Sequence, residues 1–410
     1  MPLTILPHAD FESLLQSLRE GWASCEPGLT PQPVVIPSIA FSDRLQLEIA
    51  KQRGICMGLE FLTASGLIER ISGGLRGSPW SKEQLVWRIL PLAEDYASHL
   101  GVAAGNASTR DLFAVSELLA DRLDQYAHFR PAMIRAWMAG RPFLTGAQAA
   151  SDEAWQRSLW LELQQRIGAD CPHPSVALPT LEQDPAFRER VQAAFSQLTV
   201  IGTGTLDPLL MELLAVLDRL GCEVGIHILL PTMEYLGDLK RRSETFQRAR
   251  EESFFDEQAH PLITSMGRHA IGSFLLLGTL DEQYTHWPLS PLPAAADPSQ
   301  NSLLNRLQAD IRSMTQPVPA PTLPHDASIR IHSCYGPRRE MEVLRDELLR
   351  AFQDLHGLQL DEIHVVTPSL ETYAPLVAAV LEQIIHGEPA ADRSIPRDEP
   401  LPVRLTEVTR

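Results

Sequence analysis

The sequence predicts an α/β protein: a parallel-sheet domain interrupted by a helical insertion, then the start of a second α/β domain. Three observations predict it. Short apolar, β-branched runs alternate with amphipathic stretches near both ends of the chain. The middle, from about Leu75 to Arg190, carries almost only helical periodicity. A length of 410 residues is also too great for one ordinary domain. The boundaries drawn from these shifts are 1–72 with 191–325 for the first α/β domain, 73–190 for the insertion and 326–410 for an incomplete second domain.

Taken in order, the spacing predicts a helix over Asp10 to Glu20, a strand at Val34 to Ile36, a helix from Ser42 to Arg53 and an apolar run, Leu59 to Leu62, leading to another helix. Ser81-Lys-Glu-Gln84 has the form of a capping box opening a helix that carries Leu85, Trp87, Ile89 and Leu90. DLFAVSELLADRLDQYAHF and EAWQRSLWLELQQRI supply further amphipathic helices. A complete βαβ unit follows: strand Leu198 to Ile201, a helix opened by Asp207 or Pro208 and ended by Gly221, then strand Glu223 to Leu230. Proline-rich stretches between 288 and 326 surround a short helix, Leu303 to Met314, and mark a boundary. Beyond it, strand Ser328 to Ser333, helix Pro337 to Leu355 and strand Glu362 to Thr367 begin the second domain, which runs into a proline- and charge-rich tail.

Composition narrows the function classes. With 44% hydrophobic and 21% charged residues the chain has the balance of a folded protein. No apolar run approaches the roughly 18 residues of a membrane span, and MPLTILPHADFESLL lacks the basic start and apolar core of a signal peptide. A cytoplasmic protein that keeps off membranes is expected. Five cysteines, Cys25, Cys56, Cys171, Cys222 and Cys334, stand far apart, in neither a zinc nor a disulfide pattern. Cys171 and His173 are neighbours, but two ligands do not make a metal site, and a loop accounts for them. The net charge of −17 excludes indiscriminate nucleic-acid binding, since such affinity comes from neutralising phosphates. DNA in one local channel, or a basic partner, remains compatible with it. The one dense basic run, Lys240 to Arg250, has the form of a solvated helix face.

The stretch VVIPSIAFSDRLQLEIA, Val34 to Ala50, has the layout of a strand delivering the chain to a phosphate-binding loop, yet the loop is missing. Phosphate cradling needs glycines whose N–H groups converge and a lysine to reach in. Pro37-Ser-Ile-Ala-Phe-Ser42 offers neither, so Ser42 is taken as a helix cap. A magnesium-binding acid would follow a buried strand directly. Here Leu198 to Ile201 runs into Gly202-Thr-Gly-Thr-Leu-Asp207, and Asp207 is assigned to capping the next helix. Gly202-Thr-Gly204 resembles the start of a dinucleotide fingerprint whose third glycine is replaced by Asp207. Gly73 to Ser78 joins helices and fits a flexible connection. The histidines are read as scattered, with no metalloprotease or nucleophile-elbow motif and no helix-spaced carboxylate partner; His227 is read as a core or sheet-face residue. The residues suggest no catalytic group, no metal and no cofactor.

Several segments together carry a resemblance. They are VVIPSIAFSDRLQLEIAKQRGICMGLEF, DRLDQYAHFRP, LTVIGTGTLDPLLMELLAVLDRLGCEVGIHILLPTMEYLGDL, HPLITSMGRHAIGSFLLL and SIRIHSCYGPRREMEVLRDELLRAF with DEIHVVTPSLETYAPLV. In this order they resemble the N-terminal portion of the RecC family, the gamma subunits of bacterial exonuclease V (RecBCD) complexes. The resemblance implies an inactive superfamily 1 helicase-like fold that does not hydrolyse ATP. It implies B and D subunits of a RecBCD-type complex as partners, with single-stranded DNA and DNA ends, and a role in guiding the 3′-ended strand and reading its Chi sequence. The family's channel positions match Asp121, Asp124, Gln125 and Arg130, whose side chains suit base edges and phosphate. Arg338 and Arg339 stand where active relatives place cleft arginines; ion pairs or domain packing are assigned to them, with DNA backbone contact as a further role. The chain departs from the family at Pro37, Ile39, Asp43 and Glu69, which puts Chi reading in question and leaves strand guidance intact. Two other classes compete: a nucleotide-cofactor enzyme built on the Val200 to Leu230 unit, and a protein-interaction scaffold without DNA contact.

Overall fold

The computed structural model describes residues 3–23, 31–71, 78–102, 107–202, 207–232, 260–267, 302–317 and 326–381, with residues 272 and 276. The basic run Lys240 to Arg250, most of Gly73 to Ser78, residues 203–206, most of the proline-rich stretches and the tail from 382 lie outside them. The chain divides into two compact units, Met1–Gln300 with Leu307–Pro319, and Asn301–Arg306 with Ala320–Arg410.

The first unit is built on a parallel five-stranded sheet: β1 (Thr4–His8), β2 (Gln32–Val35), β3 (Leu59–Leu62), β4 (Gln197–Gly202) and β5 (Glu223–Leu229), in the order β1-β5-β4-β2-β3. Parallel strands need crossovers, and α1 (Phe11–Ala23), α2 (Ile39–Arg53), α3 (Ala64–Ile71) and α11 (Pro208–Arg219) supply them. Because side chains alternate along a strand, Val34, Ile36 and Ile201 pack with Leu14, Leu18, Trp22, Leu45 and Ile49 of α1 and α2. Val35, Leu198, Val200, Ile226 and Ile228 pack on the opposite face with α3 and α11. Burial on both faces explains why these strands are nearly continuous apolar runs.

β1 is a strand that the sequence pattern did not disclose. It is short and contains Pro7, which removes a ladder donor; the chain tolerates it because β1 is a sheet edge. Ser42 also differs from expectation. α2 begins earlier, after Pro37 and Ser38, so Ser42 lies inside the first turn, buried, and donates its hydroxyl to the Ile39 carbonyl at 2.6 Å. At the far end Gly54 adopts φ 78°, the left-handed geometry that closes the helix.

Among the described residues between β3 and β4, α3 is followed by further helices and no strand: α4 (Lys82–Ile89), α5 (Ala93–Ala97), α6 (Thr109–Phe129), α7 (Pro131–Met138), α8 (Ala147–Ile167), α9 (Pro174–Leu181) and α10 (Pro185–Ala194). Ser81 caps α4 by accepting from the Gln84 N–H. The reciprocal capping box occurs at α6 instead, between Ser108 and Asp111. In the largely aliphatic core of this layer Trp80 and Trp160 stack 4.8 Å apart, and His173 meets both rings edge-on. His173 and Cys171 serve structure here. The imidazole caps α9 by accepting from the Ser175 N–H, and the Cys171 carbonyl accepts from Trp80 Nε1.

Among the described residues after β5 are the short helices α12 (Pro261–Met266) and α13 (Leu303–Arg312). In the second unit α14 (Pro337–Asp354) and α15 (Leu370–Val380) pack through Met341, Val377, Val380 and Leu381. The strands expected at Ser328 to Ser333 and Glu362 to Thr367 are not formed. A strand exists only through its ladder, and neither segment has a partner among the described residues; Ile331 and Val366 are each 92% exposed. Among the described residues no helix is long and apolar enough to cross a membrane.

Candidate functional site

The sheet order fixes one crevice. The crossover from β2 to β3 leads one way and that from β4 to β5 the other, so the connections diverge at the carboxyl ends of β2 and β4. In open parallel sheets that divergence is where ligands are held. Here β2 leads through Ile36, Pro37 and Ser38 into α2, and β4 leads through Gly202 to Asp207 at the start of α11. The first-turn donors of α11, which would receive a phosphate, already have an acceptor: Asp207 Oδ1 takes the N–H of Leu209 at 2.8 Å and of Leu210 at 3.4 Å.

The other oxygen of Asp207 accepts from His128 Nδ1, and His128 Nε2 lies 3.9 Å from Asp124 Oδ1, one turn earlier on α6. Burial pulls the His128 imidazole pKa down. The hydrogen bond and charge of Asp207, with the charge of Asp124, outweigh it, and the net shift is upward. Asp124 is itself pushed up by burial, against the opposing charges of His128 and Lys82.

The polar face of α6 continues from there. Lys82 donates to Asp121 at 2.6 Å, Gln125 Nε2 donates to the other Asp121 oxygen at 2.8 Å, and Arg122 donates to Gln125 Oε1 at 3.0 Å. The hydrogen bond to Asp121 raises the Lys82 pKa and keeps its charge in place. Arg130 closes the helix, its guanidinium 5.8 Å from the Tyr126 ring centroid. The structure thus brings Asp121, Asp124 and Gln125 into one network on α6, with Arg130 at its end. α7 and α11 are tied alongside it, where Arg135 grips Glu212 with two bonds of 2.9 Å and donates a third to the Ser175 carbonyl. Arg338 and Arg339 belong to the second unit and both pair with Glu342.

Sequence reading missed Lys82 and His128. The signal for His128 was present, since Asp124 and His128 are an i, i+4 pair on a helix, contrary to the absence of a helix-spaced carboxylate assumed above. Its contact with Asp207 spans 79 positions and leaves no local trace. Chemically the network offers carboxylate, amide, ammonium and guanidinium groups side by side, a set suited to hydrogen bonding with a polar polymer.

Comparison with known proteins places this sequence in a family. The family model for the RecC N-terminal domain matches residues 3–314. The RecBCD enzyme subunit RecC of Mycobacterium tuberculosis (strain CDC 1551 / Oshkosh) is 30% identical over 374 residues, covering 82% of this chain and 31% of that protein. The protein of the same description from Mycolicibacterium smegmatis is 30% identical over 390 residues, covering 88% and 33%. That of Escherichia coli (strain K12) is 26% identical over 441 residues, covering 94% and 38%. This chain therefore spans well under half the length of these curated relatives. The family match takes in every strand of the sheet, the helical layer and the polar face of α6, and the chain belongs to the RecC family through its N-terminal domain.

Proposed function

We propose that this chain acts in a RecBCD-type helicase and nuclease complex, in double-strand break repair and recombination, as a subunit with no catalysis of its own. It scaffolds the B and D type motor subunits in the cytoplasm and guides the 3′-ended single strand from a DNA end. Residues 1–72 and 191–325 form an inactive superfamily 1 helicase-like domain, 73–190 its helical insertion, and 326–410 the start of a second such domain. Asp121, Asp124, Gln125 and Arg130 line the path of the strand and guide it through general polar contacts, and Arg338 and Arg339 meet its backbone.

The observation that carries this reading is the state of the strand-end crevice. It has the position of a nucleotide site, but Pro37 and Ser38 replace the glycine-rich loop, and the protein's own carboxylate occupies the donors at the start of α11. Family membership adds the setting, because the relatives are named as subunits of the RecBCD enzyme. The same occupied donors weigh against a cofactor enzyme on the β4-α11-β5 unit. Co-expression with the B and D type subunits of the same organism tests the reading. Co-elution of all three chains on gel filtration is the expected result, and elution of this chain apart from both partners contradicts the scaffold role.

A further inference from the structure

Two contacts hold the polar face of α6 and its neighbour α7 against α11: Arg135 with Glu212, and His128 with Asp207. The first is a bidentate arginine–carboxylate pair. The second involves a histidine, the side chain that switches charge near neutral pH. The His128 side chain is 14% exposed and that of Asp207 12%, so water screens this pair little.

We propose that His128 is a positioning residue, a protonation-controlled clasp that fastens the polar face of α6 to the start of α11. The groups facing it favour the charged form. Asp207 reaches it from the start of α11 and Asp124 from one turn earlier on its own helix. Lys82 of α4 acts at one remove, paired with Asp121 and attracting Asp124. His173, at the start of α9, adds no competing charge: burial first, and the charge of His128 second, lower its pKa to about 3. Since the folded-state pKa of His128 lies above its ordinary 6.5, the clasp is fully closed below about pH 6.5. It weakens as pH rises through the elevated value, when Asp124 loses its counter-charge and Asp207 keeps only a neutral hydrogen bond. The proposal is independent of DNA binding.

Hydrogen exchange read by mass spectrometry tests it, using the whole chain at pH 5.8 and pH 8.5 with intrinsic rates corrected. Peptides covering 121–130 and 207–213 lose protection severalfold at the higher pH, because the closed contact that shields them is weakened. Asp207→Asn keeps the helix cap, because an amide oxygen still accepts from Leu209 and Leu210, but removes the charge. It gives the weaker protection at both pH values, while peptides over α8 match the wild type. Wild-type protection that is the same at both pH values, or an Asp207→Asn variant that keeps the full pH response, overturns the proposal.

Discussion

Glu153 shows how one side chain organises the helical layer. It is 2% exposed and accepts from Trp137 Nε1 at 2.7 Å and from the N–H groups of Phe143 and Leu144 at 2.6 and 2.7 Å. Burial raises its pKa, but these three donors outweigh burial and hold the carboxyl below its ordinary 4.5. Glu153→Gln, which removes the charge and replaces one acceptor oxygen by a donor, is expected to cost about 2–3 kcal/mol at pH 7, read from urea unfolding. An acid with a depressed folded pKa stabilises above its unfolded value and loses that contribution as pH falls through the folded one. The gap between variant and wild type therefore narrows as pH drops below about 4.5; an unchanged gap at pH 3 would count against this account. At this scale local roles were legible and distant ones were not. The Asp207 cap follows from its place before Pro208. Glu153, and His128 in its contact with Asp207, depend on partners that only folding brings near.

At the scale of elements, the strands flanked by helices were legible because burial on both faces writes an apolar run into the sequence. β1 was not, being five residues with a proline. The segments around Ile331 and Val366 show the converse: β-branched composition without a ladder leaves no strand. β1 and β5 also share a testable feature. His8 and His227 stack with ring centroids 5.3 Å apart and an Nε2 to Nδ1 distance of 3.1 Å, one ring nitrogen donating to the other. Burial lowers both pKa values, against the charge of Asp10 for His8 and helped by the charge of His8 for His227, which falls to about 3. A histidine whose pKa is depressed by folding binds protons more readily when unfolded, so stability falls with pH below about 6.5. Between pH 7 and pH 5 the wild type should lose about 2 kcal/mol relative to His227→Phe, which keeps the stacked ring without the titration. Parallel pH profiles of the two proteins would show that the pair is not held neutral.

For the whole molecule the decisive balance under the proposed function is between an acidic chain, net −17, and a path for an anionic polymer. Net repulsion sets the background, so a guided strand depends on local groups, on stacking and on salt. Family and sheet architecture were legible in the sequence because they rest on dispersed apolar and motif positions. The contacts on α6 were not legible: Asp121, Asp124 and Gln125 were singled out through the family resemblance as strand contacts, whereas the pairing of Asp121 with Lys82 and of Asp124 with His128 joins groups the sequence pattern did not connect. The central claim is that this portion guides a single strand and performs no nucleotide chemistry. Fluorescence anisotropy of a labelled single-stranded oligonucleotide, at low and moderate salt with ATP turnover followed in parallel, tests it most directly. Saturable binding that weakens with salt and is reduced by Arg130→Ala, without ATP hydrolysis, is the predicted result. Failure to bind even at low salt, or hydrolysis of ATP by the purified chain, would contradict it.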